Sequence, residues 1–232
     1  MKKRIWELDA LRGLCILMVL AFHLIFDLVE VFRLVRWDYP GWFLLLRDWG
    51  GLIFLILSGI CVTLGSRSVR RGLTVLGCGM VCTAVTVAMT FFGFHPSMII
   101  WFGVLHCLGT CMLLWPLFQK CPWWAMLLLG LTGIALGFLF LRLRVDTVWL
   151  IPLGLMFPGF ASSDYFPLLP NLGFFLTGTA LGKTLYGKKR SLFPSAPRWA
   201  EPLTFCGRHS LWIYLLHQPV LYAVCLILAS IF

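Results

Sequence analysis

The first long apolar run of the chain occupies residues 9–32 and reads DALRGLCILMVLAFHLIFDLVEVF. It follows the basic residues 1–4 but is longer than the apolar region of a signal peptide, which has about 7–15 residues. It also lacks a small-residue cleavage site and carries ionisable side chains along its length, among them Arg12, His23 and Asp27. Because a helix needs about 20 apolar residues to cross the hydrocarbon, we predict that residues 9–32 form a permanent membrane-spanning helix.

The composition of the whole chain is typical of a membrane protein. Hydrophobic residues make up 60% of the 232 residues and charged residues 12%, whereas a soluble domain has roughly 45–50% apolar and about 25% charged residues. This excludes an ordinary soluble protein and a disordered one. Six further apolar runs are long enough to span, at 49–65, 73–92, 98–118, 123–141, 170–186 and 209–231. We therefore predict an all-α, polytopic integral-membrane helix bundle with about seven spans, which forms a single domain over residues 1–232.

Residues 149–160 form an apolar run of a different kind. Pro152, Gly154, Pro158 and Gly159 interrupt it, and at about 1.5 Å per residue it is too short to cross as a helix. We predict a re-entrant or interfacial segment. A re-entrant segment needs protein or a water-filled cavity to satisfy its backbone, so it would border an interior site. The alternative is a short helix that lies on the membrane surface.

The net charge of +10 comes from basic residues at the ends of the apolar runs. With the N terminus inside, most of the 19 lysines and arginines lie on the cytoplasmic side, which satisfies the positive-inside rule if residues 149–160 do not cross. The basic residues left outside are Arg33, Arg36, Arg47, Arg142 and Arg144. The C terminus is then outside. Since topology accounts for the charge, we expect no nucleic-acid partner.

Ionisable side chains inside a span are energetically expensive, so each is a candidate site residue. His23 and Asp27 are four residues apart, which places them on one face of the first helix. There the carboxylate can orient the imidazole and stabilise its charge, as an orienting acid does for a general base. In the alternative interpretation, Asp27 caps an interfacial turn and His23 is a core histidine whose ring is satisfied.

Two other spans also contain histidines. His106 lies at a depth in the fourth span that can match His23, although a lone membrane histidine can instead bond a neighbouring helix. In the last span Ser210, Tyr214 and His217 recur at spacings of four and three, which predicts one polar stripe that faces the bundle interior. We place His217 in the cytoplasmic half, where it suits donor binding or a helix kink.

A cluster of three arginines closes the second span: Arg67, Arg70 and Arg71. Three neighbouring guanidinium groups can bind phosphate or pyrophosphate through paired hydrogen bonds. The alternative is that they only set topology and extend to anionic lipid.

Two polar residues follow the 149–160 segment on the predicted outer face. Asp164 and Tyr165 lie where they could contact a hydroxyl or amine of a substrate. Asp164 could equally cap a helix that starts at Pro167.

The nine cysteines lie almost entirely within apolar runs, and the five histidines are scattered without an acidic cluster. The cysteines have neither zinc-ligand spacing nor the loop positions of a disulfide framework. We interpret them as small apolar side chains and expect no metal site.

Several short motifs include the residues discussed above. Residues 7–13 read ELDALRG and run on to Phe22-His23, which resembles the opening of the large membrane acyltransferase superfamily. The chain as a whole is more similar to short bacterial members of the heparan-alpha-glucosaminide N-acetyltransferase catalytic-domain family. The motifs that carry this resemblance are FHLIFD (22–27), FGVLH (102–106), DYFPLLP (164–170) and GRHSLWIYLLHQP (207–219). The resemblance covers essentially the whole length.

The resemblance implies transfer of an acetyl group from cytoplasmic acetyl-CoA to an amine or hydroxyl at the outer face. The three arginines then gain a role in binding the phosphates of CoA. In the lysosomal enzyme of the family the catalytic histidine is expected in the loop before the second span, where residues 45–51 here read LLRDWGG. His23 instead matches the first-span histidine of the wider superfamily.

We therefore predict an acyl-CoA-dependent membrane acetyltransferase in which His23, oriented by Asp27, is the general base and His106 is the next candidate. Expected partners are membrane lipid, acyl-CoA and a carbohydrate or envelope acceptor, with a homo-oligomer as a further option. The expected location is the bacterial cytoplasmic membrane. The alternative class is a small-molecule or lipid-linked-sugar transporter or flippase that uses the same histidines and Asp27. The absence of an internal repeat is less typical of that class.

The charge pattern generates a test of topology. A cysteine introduced by Ser163→Cys should react with a membrane-impermeant thiol reagent in intact cells, because residue 163 is predicted to lie outside. Ser195→Cys, in the predicted cytoplasmic loop, is the control and should react only after permeabilisation. Labelling of residue 163 from the cytoplasmic side alone would overturn the predicted orientation.

Overall fold

The computed structural model describes residues 4–231, which are all-α. The α-helices are α1 (Trp6–Phe26), α2 (Gly41–Leu64), α3 (Ser68–Thr90), α4 (Val104–Phe118), α5 (Trp123–Phe140), α6 (Leu168–Leu185), α7 (Glu201–Arg208) and α8 (Ser210–Ile231). A π-helical turn, Asp27–Val31, continues α1, and three short 3-10 turns lie between other helices. The described residues contain no strand, only two isolated β-bridges. The predicted all-α class is confirmed.

Five helices in the described part of the chain are long and apolar enough to cross a membrane. These are α1 with its π-helical turn, α2, α3, α5 and α8. Helix α4 is apolar but has only 15 residues, and α6 is interrupted at Leu169, whose φ and ψ are −108° and 127°. An integral-membrane helical protein is thus supported, while the count of seven spans stays a prediction.

Some helices begin several residues away from the bounds of the predicted spans. Helix α2 begins at Gly41, before the apolar run that starts near residue 49, and its first turns include Arg47 and Asp48, which pair with each other at 2.8 Å on an exposed surface. Charged residues end an apolar run, but they do not end a helix whose backbone hydrogen bonds continue. Helix α4 begins at Val104 rather than at residue 98, because residues 98–103 instead bond to a distant loop.

The chain divides into two compact units. The first unit contains residues up to Phe54 and from Arg190 onward, and the second contains Leu55–Lys189. In the first unit, α1 and α8 run in the same direction, because contacting residues advance together along both helices. The contacts are His23 with His217, Asp27 with Gln218, and Phe32 with Tyr222.

Glycines allow close helix packing within each unit. In the first unit, a Cβ atom on Gly207 would collide with the backbone carbonyl of Asp9 in α1. In the second unit, a Cβ atom on Gly109 of α4 would lie 2.7 Å from Leu76 of α3. Small residues of this kind let helices approach in a membrane, where van der Waals packing replaces the hydrophobic effect.

The 149–160 segment contains one 3-10 turn, Ile151–Leu153, and no continuous helix. Gly154 follows with a φ of 107°, a left-handed conformation that glycine adopts without steric cost. The N–H of Val145 donates to the carbonyl of Met156 at 3.1 Å, which turns the chain back on itself. The segment therefore does not form the surface helix of the alternative interpretation, and its re-entrant or interfacial position stays a prediction.

Candidate active site

The predicted site residues occur in both units. His23, Asp27 and His217 belong to the first unit and come together there. The second unit contains His106, Asp164 and Tyr165 near the end of α3, and the three arginines at its start: Arg67, Arg70 and Arg71. In the first unit, polar side chains leave hydrogen-bonding atoms unused.

His23 of α1 lies against His217 of α8. Their ring centroids are 4.7 Å apart, and the rings meet edge to face at 67°. This contact places His217 at the level of His23, and its predicted location in the cytoplasmic half stays a prediction. Helix α7 packs beside the N-terminal part of α1, and the eighth residue of α8, His217, reaches the level of His23.

The tautomer of His217 follows from its hydrogen bond. Nδ1 lies 2.5 Å from the carbonyl oxygen of Tyr214, and because a carbonyl only accepts, Nδ1 carries the proton. In the neutral ring the lone pair is therefore on Nε2. That atom is buried and has no hydrogen-bond partner within residues 4–231. A buried imidazole with one nitrogen held and the other unused is equipped to accept a proton from a ligand.

Asp27 contacts α8 rather than His23. Its carboxylate is fully buried, and the side-chain nitrogen of Gln218 donates to both oxygens, at 3.0 and 3.1 Å. Among the described residues no hydrogen bond joins Asp27 to His23, so the predicted direct orientation of the imidazole is wrong. The spacing of four correctly places both residues on one helix face, but the π-helical turn begins at Asp27 and its carboxylate meets the Gln218 amide.

Gln218 is the site residue that sequence reasoning missed. Its side-chain oxygen is buried and has no hydrogen-bond partner in the described part of the chain, like Nε2 of His217 next to it. The sequence does show that Gln218 is a polar residue inside a predicted span, and polar residues are rare there. The spacing argument favoured Ser210 and Tyr214 instead, because they recur on one helix face with His217.

Both ring nitrogens of His106 have hydrogen-bond partners within the second unit. Its Nδ1 accepts from the N–H of Gly103 at 3.2 Å, and its Nε2 lies 3.2 Å from the hydroxyl of Thr83. That hydroxyl donates its proton to the carbonyl of Ile100 at 2.7 Å, so Nε2 must be the donor to Thr83. Both ring nitrogens are used, and no lone pair is left for a substrate. The geometry favours a structural role for His106, and its catalytic role stays a prediction.

Asp164 and Tyr165 also have partners within the second unit. A carboxylate oxygen of Asp164 accepts from the N–H of Val104 at 3.0 Å, so Asp164 caps the start of α4 rather than a helix at Pro167. The hydroxyl of Tyr165 donates to the carbonyl of Ile151 at 2.7 Å. Burial disfavours the phenolate and raises the pKa of Tyr165 to about 12, although the charge of Arg144 opposes the shift. Their acceptor-side role stays a prediction.

The three predicted donor arginines line one pocket in the second unit. It has a volume of about 360 Å³ and is formed by Ser66, Arg67, Arg70, Arg71 and Thr74. The pocket lies at the N terminus of α3, where the first backbone N–H groups of a helix point outward and favour anions. Guanidinium groups and a helix N terminus together form a site suited to phosphate.

Asp9 is the centre of an ion-pair cluster at the N-terminal end of α1. Arg4, Arg12 and Arg208 lie 3.5, 3.9 and 3.7 Å from its carboxylate. Nearby, Glu7 accepts hydrogen bonds from the hydroxyl of Ser191 and from the N–H of Leu192. These contacts join the ends of α1 and α7 to the loop that precedes α7, so we assign them a structural role. Within residues 4–231 no group of three potential ligands is arranged to hold a metal ion.

One comparison with known proteins found a match. The family model described as heparan-alpha-glucosaminide N-acetyltransferase, catalytic, matches residues 4–219, which is nearly the whole chain. Searches of curated proteins and of solved structures found no match. The match includes every residue of the His23, Asp27, His217 and Gln218 cluster.

The bonds of His106 generate a test of its role. Thr83→Val removes a hydroxyl of similar volume and leaves His106 Nε2 and the carbonyl of Ile100 without that partner. We expect a loss of about 1–3 kcal/mol in the free energy of unfolding for each unsatisfied group, measured in detergent. Thr83→Ser retains the hydroxyl and is the control. A Thr83→Val protein of normal stability that had lost acetyl transfer would contradict the structural assignment.

Proposed function

We propose that this protein is an acetyltransferase, because the chain belongs to the heparan-alpha-glucosaminide N-acetyltransferase catalytic family. Membership indicates membrane acetyltransferase activity, and the family in general takes its acetyl group from acetyl-CoA. For this chain we propose transfer from cytoplasmic acetyl-CoA to an amine or hydroxyl of a sugar or envelope molecule at the outer face. The observation that carries the proposal is the unpartnered Nε2 atom of His217 beside His23.

His217 is the proposed general base. The Tyr214 carbonyl holds its Nδ1–H, so the Nε2 lone pair is available to remove a proton from the attacking amine or hydroxyl. His23 packs against the ring and limits its rotation. The acceptor then attacks the thioester carbonyl, the C–S bond breaks, and the protonated imidazole returns a proton to the sulfur of CoA. Base catalysis of this kind contributes about 10²–10⁴-fold.

The arginine pocket is the proposed site for the phosphates of CoA. Its three guanidinium groups and the N terminus of α3 provide positive charge and directed donors on one surface. Thr74 does not compete for the ligand as a donor, because its hydroxyl donates to the carbonyl of Arg70 at 3.1 Å. A phosphate can therefore be recognised by the arginine side chains themselves.

The parallel direction of α1 and α8 supports the proposed topology. Two spanning helices that run in the same direction begin on the same side of the membrane, so the two ends of the chain lie on opposite sides. With the basic N-terminal residues inside, the C terminus is outside. We propose this orientation in a bacterial cytoplasmic membrane, with seven spans and residues 149–160 not crossing. Family membership does not support the transporter alternative.

The donor site can be tested by charge removal. Replacing Arg67, Arg70 and Arg71 together with Gln should weaken CoA binding at least about tenfold, since charge-assisted hydrogen bonds contribute about 1.5–3 kcal/mol each. The remaining affinity should depend less on salt concentration. Calorimetric titration with CoA at low and high salt measures both effects. The control replaces Lys188, Lys189 and Arg190 with Gln, the same change in charge at three exposed residues. If both triple variants bind CoA with equal affinity, the three arginines do not bind the donor and act only as topology signals.

The base can be tested by substitution and chemical rescue. His217→Ala should lower the turnover of acetyl transfer by about 10²–10⁴-fold, with CoA affinity retained, because the donor is held by the arginine pocket. Added imidazole should restore part of the rate by replacing the missing ring. His23→Ala should lower turnover less, since it loses the packing and retains the Nε2 atom of His217. If His23→Ala is inactive and rescued by imidazole while His217→Ala keeps normal turnover, the base is His23.

A further inference from the structure

The turn between α2 and α3 contains a glycine, Gly65, that lies against the side chain of Arg71. Gly65 follows the last residue of α2, and Arg67 is the N-cap residue of α3. A Cβ atom on Gly65 would collide with the guanidinium of Arg71, whose central carbon would lie 3.1 Å from it. Outside the neighbouring residues of the chain, the three atoms nearest to that position all belong to this guanidinium. The side chain of Arg71 therefore folds back over the turn and occupies the space that a larger residue would fill.

The backbone at Gly65 does not itself require glycine. In the described residues, the left-handed conformation that favours glycine occurs at three glycines, Gly93, Gly154 and Gly159, and not at Gly65. Gly65 also differs from Gly207, where a Cβ atom would meet the backbone of another helix. At Gly65 the colliding atoms form the end of a flexible, exposed side chain. A larger residue there would displace the guanidinium and leave the helix packing unchanged.

The position of this guanidinium matters for the arginine pocket, which Arg71 lines together with Arg67 and Arg70. The side chain of Arg67, the N-cap residue of α3, makes no cap hydrogen bond. The first N–H groups of α3 therefore receive no hydrogen bond from the side chain that most often supplies one. The guanidinium of Arg71 lies beside residue 65, two residues before this N-cap, rather than extended away from the turn toward lipid headgroups. Its donors and the helix N terminus thus belong to one small region of the second unit.

We infer that Gly65 is a positioning residue for the donor: it keeps the guanidinium of Arg71 at the N terminus of α3, where both bind the phosphates of CoA. The inference rests on the proposed acetyl transfer from acetyl-CoA. A planar guanidinium donates two parallel hydrogen bonds to a phosphate only in a defined orientation. A side chain that already lies against the turn loses less conformational freedom when the donor binds. Gly65 thus strengthens donor binding without contacting the donor.

The experiment measures CoA binding by calorimetric titration, with the purified protein in nanodiscs of phosphatidylcholine. A lipid without net charge avoids competition between anionic headgroups and CoA for the arginines. Gly65→Ala fills the space with one methyl group and retains all three arginines of the pocket. Gly77→Ala is the matched control, because it adds the same group to an exposed glycine of α3 whose Cβ atom would meet nothing within 4 Å.

For Gly65→Ala we expect the dissociation constant of CoA to rise about tenfold, the effect of losing one charge-assisted hydrogen bond. Arg71→Gln should raise it by at least the same factor. Adding Gly65→Ala to Arg71→Gln should change the affinity no further, because the side chain that Gly65 positions is then absent. Gly77→Ala should bind CoA as the wild type does. The unfolding temperature of Gly65→Ala should not decrease, since only an exposed side chain has to move.

If Gly65→Ala binds CoA as tightly as the wild type while Arg71→Gln binds it more weakly, the inference is overturned and the proposed donor site survives. A loss from Gly65→Ala that is equally large in the Arg71→Gln protein also overturns it, because the glycine then acts independently of Arg71. Should Gly65→Ala fail to fold, Arg71→Lys decides: it keeps the charge without the planar group, so wild-type affinity would overturn the inference. If the wild type binds no CoA, or Arg71→Gln binds it equally well, the proposed donor site itself fails and the inference fails with it.

Discussion

The hydrogen bonds between Gln218 and Asp27 connect the first and last long helices of the chain. In apolar surroundings, a carboxylate and an amide are much more stable when bonded to each other than when left apart. This pairing sets the level at which α8 packs on α1, and it thereby brings the ring of His217 against that of His23. The direction of the Gln218 oxygen and the position of the unused Nε2 of His217 both depend on this pairing and on the backbone bond to Tyr214.

The buried site residues of the second unit have hydrogen-bond partners, whereas some of those in the first unit have unpartnered atoms. In the second unit, the nitrogens of His106, a carboxylate oxygen of Asp164 and the hydroxyl of Tyr165 are all bonded to other parts of the unit. Satisfied groups of this kind hold a fold together. In the first unit, acceptors of His217 and Gln218 are buried without partners. Because such atoms are costly in the protein alone, the proposed acceptor substrate would complete their hydrogen bonding.

The two proposed substrate contacts differ in their physical basis. The arginine pocket relies on charge and on the N terminus of α3, so it suits a phosphate-bearing donor and responds to salt. The cluster of His217, Gln218 and Asp27 relies on buried hydrogen-bond acceptors, among them the Nε2 atom of His217 that is proposed to act as the base. Each contact can therefore be tested without disturbing the other.

Local properties of the sequence determined the helical class, most of the membrane-spanning candidates and the family resemblance. Apolar run length predicts helices in lipid, and the arginines at residues 67, 70 and 71 are close enough in the chain to share a pocket. Only the tertiary structure decided that His217 meets His23 and that Asp27 bonds Gln218. Helical periodicity assigns a residue to a face, but the relative level of two helices depends on packing between distant segments. Here the hydrogen bond from Gln218 to Asp27 joins residues that are 191 positions apart in the chain, and spacing within either helix does not contain it.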